Sequence, residues 1–215
     1  MSKEVKLDYK GINTTLEKEV LENHNKYLER KKVYLSYGFD IDQERQLVID
    51  KAKLLSGNIL EVGTGKGHFA LMLAKQGYNF TSVDVSAEEQ RTAKLNLRYF
   101  GLDGNVNLMV ENAEHLSFKD QSFDVLFSVN VLHHLDAPFK VIDEFIRVLT
   151  PKGKIVLSDF TTLGFDILDK IHSDEGASHD KGTTELIDVD TYLVRKGFKT
   201  EKHSSKFQEI LIAYK

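Results

Sequence analysis

Glu61-Val62-Gly63-Thr64-Gly65-Lys66-Gly67-His68 holds the most specific chemistry in the chain. A carboxylate stands beside a glycine turn, where backbone can touch a ligand because no Cβ intervenes. The acid would repel a pyrophosphate and suits a cationic ligand. Asp84 follows the glycines by about 20 residues, the place of a ribose-binding acid in nucleotide-binding sheets. Two imidazole groups stand further on. His133 and His134 are adjacent, so they point in different directions and at most one faces a crevice; His134 is the catalytic candidate of the pair. His172, Glu175 and His179 would share one face if helical, at i, i+3 and i+7. Two imidazoles and a carboxylate can hold a divalent metal with positions left open. His172 and His179 are also catalytic candidates on the substrate side. Gly176 and the surrounding serines and aspartates favour a loop over a helix, so a substrate-contacting loop without metal stays open beside the metal reading.

These residues need elements to hold them. Ile59, Leu60 and Val62 form an apolar run fit for a buried parallel strand. The segment from Phe69 to Ala74 is an amphipathic helix, closed by Gly77. Thr81–Val85, Val106–Val110, Phe123–Val129 and Lys154–Asp159 read as further strands. Ser86 and Glu89 form a capping box for a helix that runs to Phe100. Asp136 is a cap for a helix from Pro138 whose apolar side carries Val141, Ile142, Phe145, Ile146 and Leu149. Leu163–Ile171 and Val189–Lys196 are shorter helices, and Lys199–His203 pairs with Phe207–Tyr214. Upstream, residues 13–37 form a charged helix, and Asp40 or Asp42 caps a second one that Gly57 stops. Tyr34, Tyr37 and Phe39 either pack that helical region on the sheet or line a lid. Strands alternating with helices predict an α/β fold with a mostly parallel sheet.

Spacing separates the ligands that use such a turn. A phosphate-binding loop needs G-x-x-x-x-G-K-[ST], but Leu60 stands five before Gly65 and Gly67 follows Lys66. A dinucleotide fingerprint needs a third glycine where His68 stands, so that fit is partial. S-adenosylmethionine carries a sulfonium, an ammonium and no phosphate, which suits Glu61. With Leu116 to Val125, Asn130-Val131-Leu132-His133-His134-Leu135 and the Pro151-Lys152-Gly153-Lys154 turn, the chain resembles the class I S-adenosylmethionine-dependent methyltransferases. It is most similar to the small-molecule branch that includes the quinone-ring C-methyltransferases. The resemblance runs from about residue 55 to 160. It implies an open, mostly parallel seven-stranded Rossmann-like sheet of order 3-2-1-4-5-7-6, last strand antiparallel, with helices on both faces. Residues 1–215 would then be a single methyltransferase domain, with 1–55 as a helical lid and 161–188 as a substrate-side insert. The implied cofactor contacts are Glu61, Gly63, Thr64, Gly65, Asp84, Val85, Asn112, Ala113 and Asn130. Asn112 replaces the family's usual acid, though an amide can still serve adenine.

Composition narrows the function classes. The chain has 215 residues, 41% hydrophobic and 29% charged, as expected of a globular protein with a substantial core. Zero cysteines excludes disulfides, thiolate metal sites and cysteine nucleophiles. No run of about 18 apolar residues occurs, so no membrane span is expected, and a cytoplasmic location is the default. A net charge of −4, with basic residues spread among acidic ones, makes nucleic acid a poor partner. The expectation is therefore methyl transfer to a small-molecule acceptor by in-line displacement, with a homodimer as the candidate assembly. Two alternatives stand beside it: a protein or RNA methyltransferase that needs a partner, and a non-catalytic or nicotinamide-using binder.

Overall fold

The structure is a computed structural model that describes residues 15–53, 56–174 and 182–215. Seven strands form one sheet: β1 (Ile59–Val62), β2 (Phe80–Asp84), β3 (Val106–Val110), β4 (Phe123–Val129), β5 (Leu149–Phe160), β6 (Lys199–Ser204) and β7 (Gln208–Tyr214). Their order is β3-β2-β1-β4-β5-β7-β6, as the family resemblance implies. β1 to β5 are parallel, and β7 runs antiparallel to both β5 and β6.

Alternation along the strands builds two buried layers. Leu126 of β4, Leu157 of β5 and Leu211 of β7 face a cluster with α5 (Pro138–Val148) and α7 (Leu186–Arg195). Their neighbours Phe127, Val156 and Ile212 face the other side, against α2 (Ile41–Ala52), α3 (His68–Lys75) and α4 (Ala87–Tyr99). A third cluster closes one end of the sheet, where Tyr34 from α1 (Thr15–Ser36) meets Phe39, Phe207, and Ile167, Leu168 and Ile171 of α6 (Thr162–Asp174). Phe39 is 1% exposed and stacks on Phe207 at 4.7 Å. Burying such a ring stabilises by roughly 1.5–3 kcal/mol. Phe39 is thus a packing residue, Tyr34 is buried in the same cluster and also lines the cleft described below, and Tyr37 is exposed and donates to Asp174 at 3.0 Å.

Several helix ends differ from expectation. Asp40 caps α2, accepting from the Asp42 and Gln43 amides. That helix stops earlier than Gly57, at Lys53 in the left-handed region (φ 49°), because the Lys53 N–H turns back to the Asp50 carbonyl. Asp136 does not cap α5: Ala137 holds that position with no side-chain bond, and Pro138 needs none since it has no N–H. The Ser86 box is half formed. Ser86 Oγ accepts from the Glu89 amide, but the Ser86 N–H goes to Asp84 instead. β5 begins at Leu149, earlier than predicted, and the Pro-Lys-Gly turn is a bulge inside it: Leu149 pairs with Phe123, then Lys154 with Val125.

Candidate functional site

A cleft of about 640 Å³ opens at the carboxyl ends of β1, β2 and β4, where strand order reverses between β1 and β4. Open α/β sheets bind ligands at that position. The glycine turn forms its floor. The Gly63 and Thr64 amides both donate to the Val83 carbonyl, tying the turn to β2. Gly63 has φ +89°, and a Cβ there would sit 2.1 Å from a Val131 methyl. Gly67 has φ +75°, and its Cβ would sit 2.7 Å from that of Ala93. Gly67 therefore lets the start of α3 pack closely on α4. A Cβ on Gly65 would meet nothing within 4 Å, so backbone there faces open space.

Asp84 lines the cleft and also orders the turn. One carboxylate oxygen accepts from the Gly65 N–H at 2.8 Å, the other from the Ser86 N–H at 2.9 Å. Val85 beside it is 73% exposed at the mouth. Asn112 and Ala113 line the same wall, and Asn112 Oδ1 accepts from the Glu114 amide, which fixes the side chain. Asn130 lies across the cleft in a left-handed conformation (φ 59°), its Oδ1 accepting from Gln208.

Glu61 and Thr64 are placed differently from the rest. Neither is among the residues that line the cleft. Glu61 is 1% exposed, behind the turn, and accepts from Ser82 Oγ at 2.5 Å. Because the Ser82 proton goes to Glu61, Thr64 must donate to Ser82, and Gln90 donates to Thr64. The result is a buried chain, Gln90 to Thr64 to Ser82, with every proton directed at the Glu61 carboxyl. Burial outweighs these bonds and pushes Glu61 up to about 8, with nearby Asp84 adding to the rise and Arg45 opposing it. Ser82 and Gln90 gave no motif in the sequence. Their only trace is a polar residue at an otherwise apolar position of β2 and an amide facing it from α4.

The histidines separate. His133 is buried, with Nδ1 2.7 Å from one oxygen of Asp159 and its backbone N–H 3.2 Å from the other. A carboxylate partner makes Nδ1 the protonated nitrogen, so Nε2 is the ring's basic atom. His134, the expected candidate, is exposed, and its ring centroid lies 4.0 Å from that of His133. Both line the cleft. The pairing with Asp159 across 26 residues is what sequence spacing could not display.

The metal expectation on His172, Glu175 and His179 is only partly visible, because Glu175 and His179 lie outside the described residues. His172 lies in α6 and lines the cleft, but its Nε2 is 3.4 Å from an Arg30 guanidinium nitrogen. A guanidinium only donates, so Nε2 is the acceptor, and a cation bound there would meet a fixed positive charge. Among the described residues, no group of three His, Cys, Asp or Glu side chains could hold a metal ion. Sequence reasoning also missed the cleft's basic end. Arg30 of α1 and Arg45 of α2 line it with Tyr34, Phe160 and His68. His68 stacks on Tyr27 at 5.0 Å, and burial holds its imidazole well below the usual range, hence neutral.

Residues 60–157 match the pattern of the methyltransferase domain family, a span that contains the turn, Asp84, Asn112, Asn130 and His133. Over that span the chain resembles the class I S-adenosylmethionine-dependent methyltransferases. It is 35% identical over 120 residues to a ubiquinone/menaquinone biosynthesis C-methyltransferase of Rickettsia prowazekii, covering 53% of this chain and 48% of that protein. A protein of the same description from Geotalea daltonii is 30% identical over 135 residues, 61% of this chain and 57% of the relative. The chain thus spans about half the length of these curated relatives. Among solved structures, the [4+2]-cyclase SpnF has the same fold, with a TM-score of 0.67 at 20% identity, over 82% of each chain. An Aquifex aeolicus S-adenosylmethionine-dependent methyltransferase has a TM-score of 0.62 at 21% identity, over 79% of this chain and 88% of that one. Since one neighbour is described as a cyclase, this fold alone does not settle the reaction. Among the described residues, no helix is long and apolar enough to cross a membrane.

Proposed function

We propose that the protein transfers the methyl group of S-adenosylmethionine to a nucleophilic atom of a small-molecule acceptor. The observation that carries this reading is the polarity of one cleft: Asp84 and Asn112 at one end, a His–Asp dyad toward the other, and an unobstructed glycine turn between. Bound cofactor supplies an electrophilic methyl on a good leaving group. The chain has three tasks. Asp84 accepts hydrogen bonds from the ribose hydroxyls, in exchange for or beside the Gly65 N–H it already holds. The Gly65 backbone and Asn130 hold the methionine end, and Asn112 with Ala113 holds the adenine. The walls then keep acceptor, methyl and sulfur in line, a contribution that can reach roughly 7–11 kcal/mol.

His133 takes the acceptor's proton. Bound cofactor would supply the methyl carbon to the acceptor's electron pair, and the electrons of the broken carbon–sulfur bond would stay on sulfur. The acceptor's proton passes to His133 Nε2, and Asp159 stabilises the resulting imidazolium. The sequence favoured His134, and its exposed ring is better suited to contacting the acceptor than to accepting a proton.

The relatives described as quinone C-methyltransferases support an aromatic, small acceptor without fixing which one. The test is a screen of metabolite extracts with isotope-labelled cofactor, followed by mass identification of labelled products. Once an acceptor is known, His133→Asn should lower kcat by roughly 10²–10⁴ while S-adenosylhomocysteine binds as before. His134→Asn should change kcat by far less. Equal losses in both variants would remove the dyad from the mechanism, and absence of any labelled product would overturn the transfer reading.

A further inference from the structure

We infer that Arg45 holds the carboxylate of the cofactor's methionine moiety and so makes the site select against adenosyl compounds that lack one, an inference that rests on the transfer reading above. A side niche of about 40 Å³ opens beside the cleft and has Arg45, His68, Asn130 and Phe160 in common with it. Asp84, Asn112 and Ala113, the residues given to ribose and adenine, do not line the niche. Asn130, given to the methionine end, does.

Arg45 is a largely buried cation without a close counter-ion. Its side chain is 16% exposed, and the carboxylate within ion-pair range among the described residues is Asp42, at 4.0 Å. That acid already receives Lys31 and the Tyr27 hydroxyl. The guanidinium's other contact is a 3.4 Å bond to the Ile41 carbonyl of its own helix. Burial lowers the Arg45 pKa, so the charge is held there against a desolvation cost. Glu44 in the niche and Glu61 behind the turn are the other acids nearby, and burial raises both carboxyls. Glu61 keeps its proton near neutrality, and Ser205 donates to Glu44. His68 is incompletely bonded as well, since its Nδ1 is buried with no partner among the described residues. After burial, the charges of Arg45, Lys66, Arg30 and Lys31 hold its imidazole neutral, so the niche lies in a positive field. A ligand carboxylate suits both groups. It offers the planar guanidinium fork a bidentate partner and can accept from the imidazole N–H. Matching a buried charge that lacks a close partner is strongly favourable. The methionine moiety brings such a carboxylate to the Asn130 side, whereas a decarboxylated cofactor brings none.

Calorimetry with S-adenosylhomocysteine and its decarboxylated analogue, which keeps the adenosyl group, sulfur and amine, tests this. The unsubstituted protein should bind the first roughly 10- to 100-fold more tightly, the factor expected of a charged hydrogen-bonded pair. Arg45→Gln should weaken S-adenosylhomocysteine by a similar factor and leave the analogue's affinity no lower, a split that a general loss of packing in α2 would not produce. Arg45→Lys keeps the charge but loses the fork, so its preference should fall by roughly threefold or more; this variant decides the matter should the Gln variant not fold. Equal affinity of the unsubstituted protein for the two compounds overturns the inference and would leave the niche to a carboxylate of the acceptor. A preference undiminished in the folded variants, or equal weakening of both compounds, overturns it too. Failure of the unsubstituted protein to bind S-adenosylhomocysteine at all would strike the transfer reading itself, and the inference with it.

Discussion

Replacing Glu61 by Gln should change how stability depends on pH, in a direction fixed by the site. Glu61 is 1% exposed, and burial raises its carboxyl from 4.5 to about 8. In the unfolded chain the same group titrates near its ordinary value. Between about pH 4.5 and 8 the folded protein therefore keeps a proton that the unfolded chain has released. Unfolding stability must fall as pH rises across that window, and the contribution is complete only below it. Carried over the whole interval, this corresponds to roughly 5 kcal/mol. Gln keeps the shape and can still accept from Ser82, but it has nothing to titrate. Urea unfolding of both proteins at pH 5.5, 7.0 and 8.5 isolates the effect. Glu89 and Glu44, raised by burial, and His68, lowered by it, titrate in both proteins and cancel in the difference. The unsubstituted protein should lose stability relative to Glu61→Gln by a few kcal/mol between pH 5.5 and 8.5. Parallel curves would refute the assignment of a protonated Glu61. The same group links cofactor binding to proton release: a cationic ligand above the turn favours the ionised carboxyl. Binding enthalpy at pH 7 should then differ between two buffers of unequal ionisation enthalpy, and Glu61→Gln should remove the difference.

Asp84→Ala should weaken S-adenosylhomocysteine binding by about 1–3 kcal/mol in calorimetry, since charged hydrogen bonds to ribose are lost and the Gly65 N–H loses its partner. Unchanged affinity would mean the ribose lies elsewhere. Gly63→Ala should both destabilise the fold by about 1–3 kcal/mol and abolish cofactor binding, because its methyl would overlap Val131 at a positive φ. Full binding in a thermally stable Gly63→Ala protein would show that the turn relaxes more easily than its contacts imply.

The parts of this site legible in the sequence are those written in consecutive residues. Glu61 to Gly67 announces the turn because glycine and apolar runs act locally, and five apolar strands in order fix which end of the sheet the turn faces. What the sequence could not show is pairing at a distance. Ser82 and Gln90 were silent until β2 and α4 joined them in one buried chain behind the turn, where burial, against the Ser82 bond, turns the expected cofactor-binding carboxylate into a protonated acid. The two histidines make the same point more sharply. His133 and His134 differ by one position, yet Asp159 from β5 reaches only the first, through both its ring and its backbone N–H. That carboxylate converts a buried imidazole, otherwise costly to charge, into one with a fixed tautomer and a partner for its cation. Arg30 and Arg45 were passed over for the opposite reason: in sequence they belong to charged, solvated helices, and only the packing of α1 and α2 beside α6 turns their heads into the cleft. The local code places the glycine-turn side of the cleft, then, and long-range packing sets the charge of its arginine side. That charge can therefore change with the helical cover while the glycine turn stays the same.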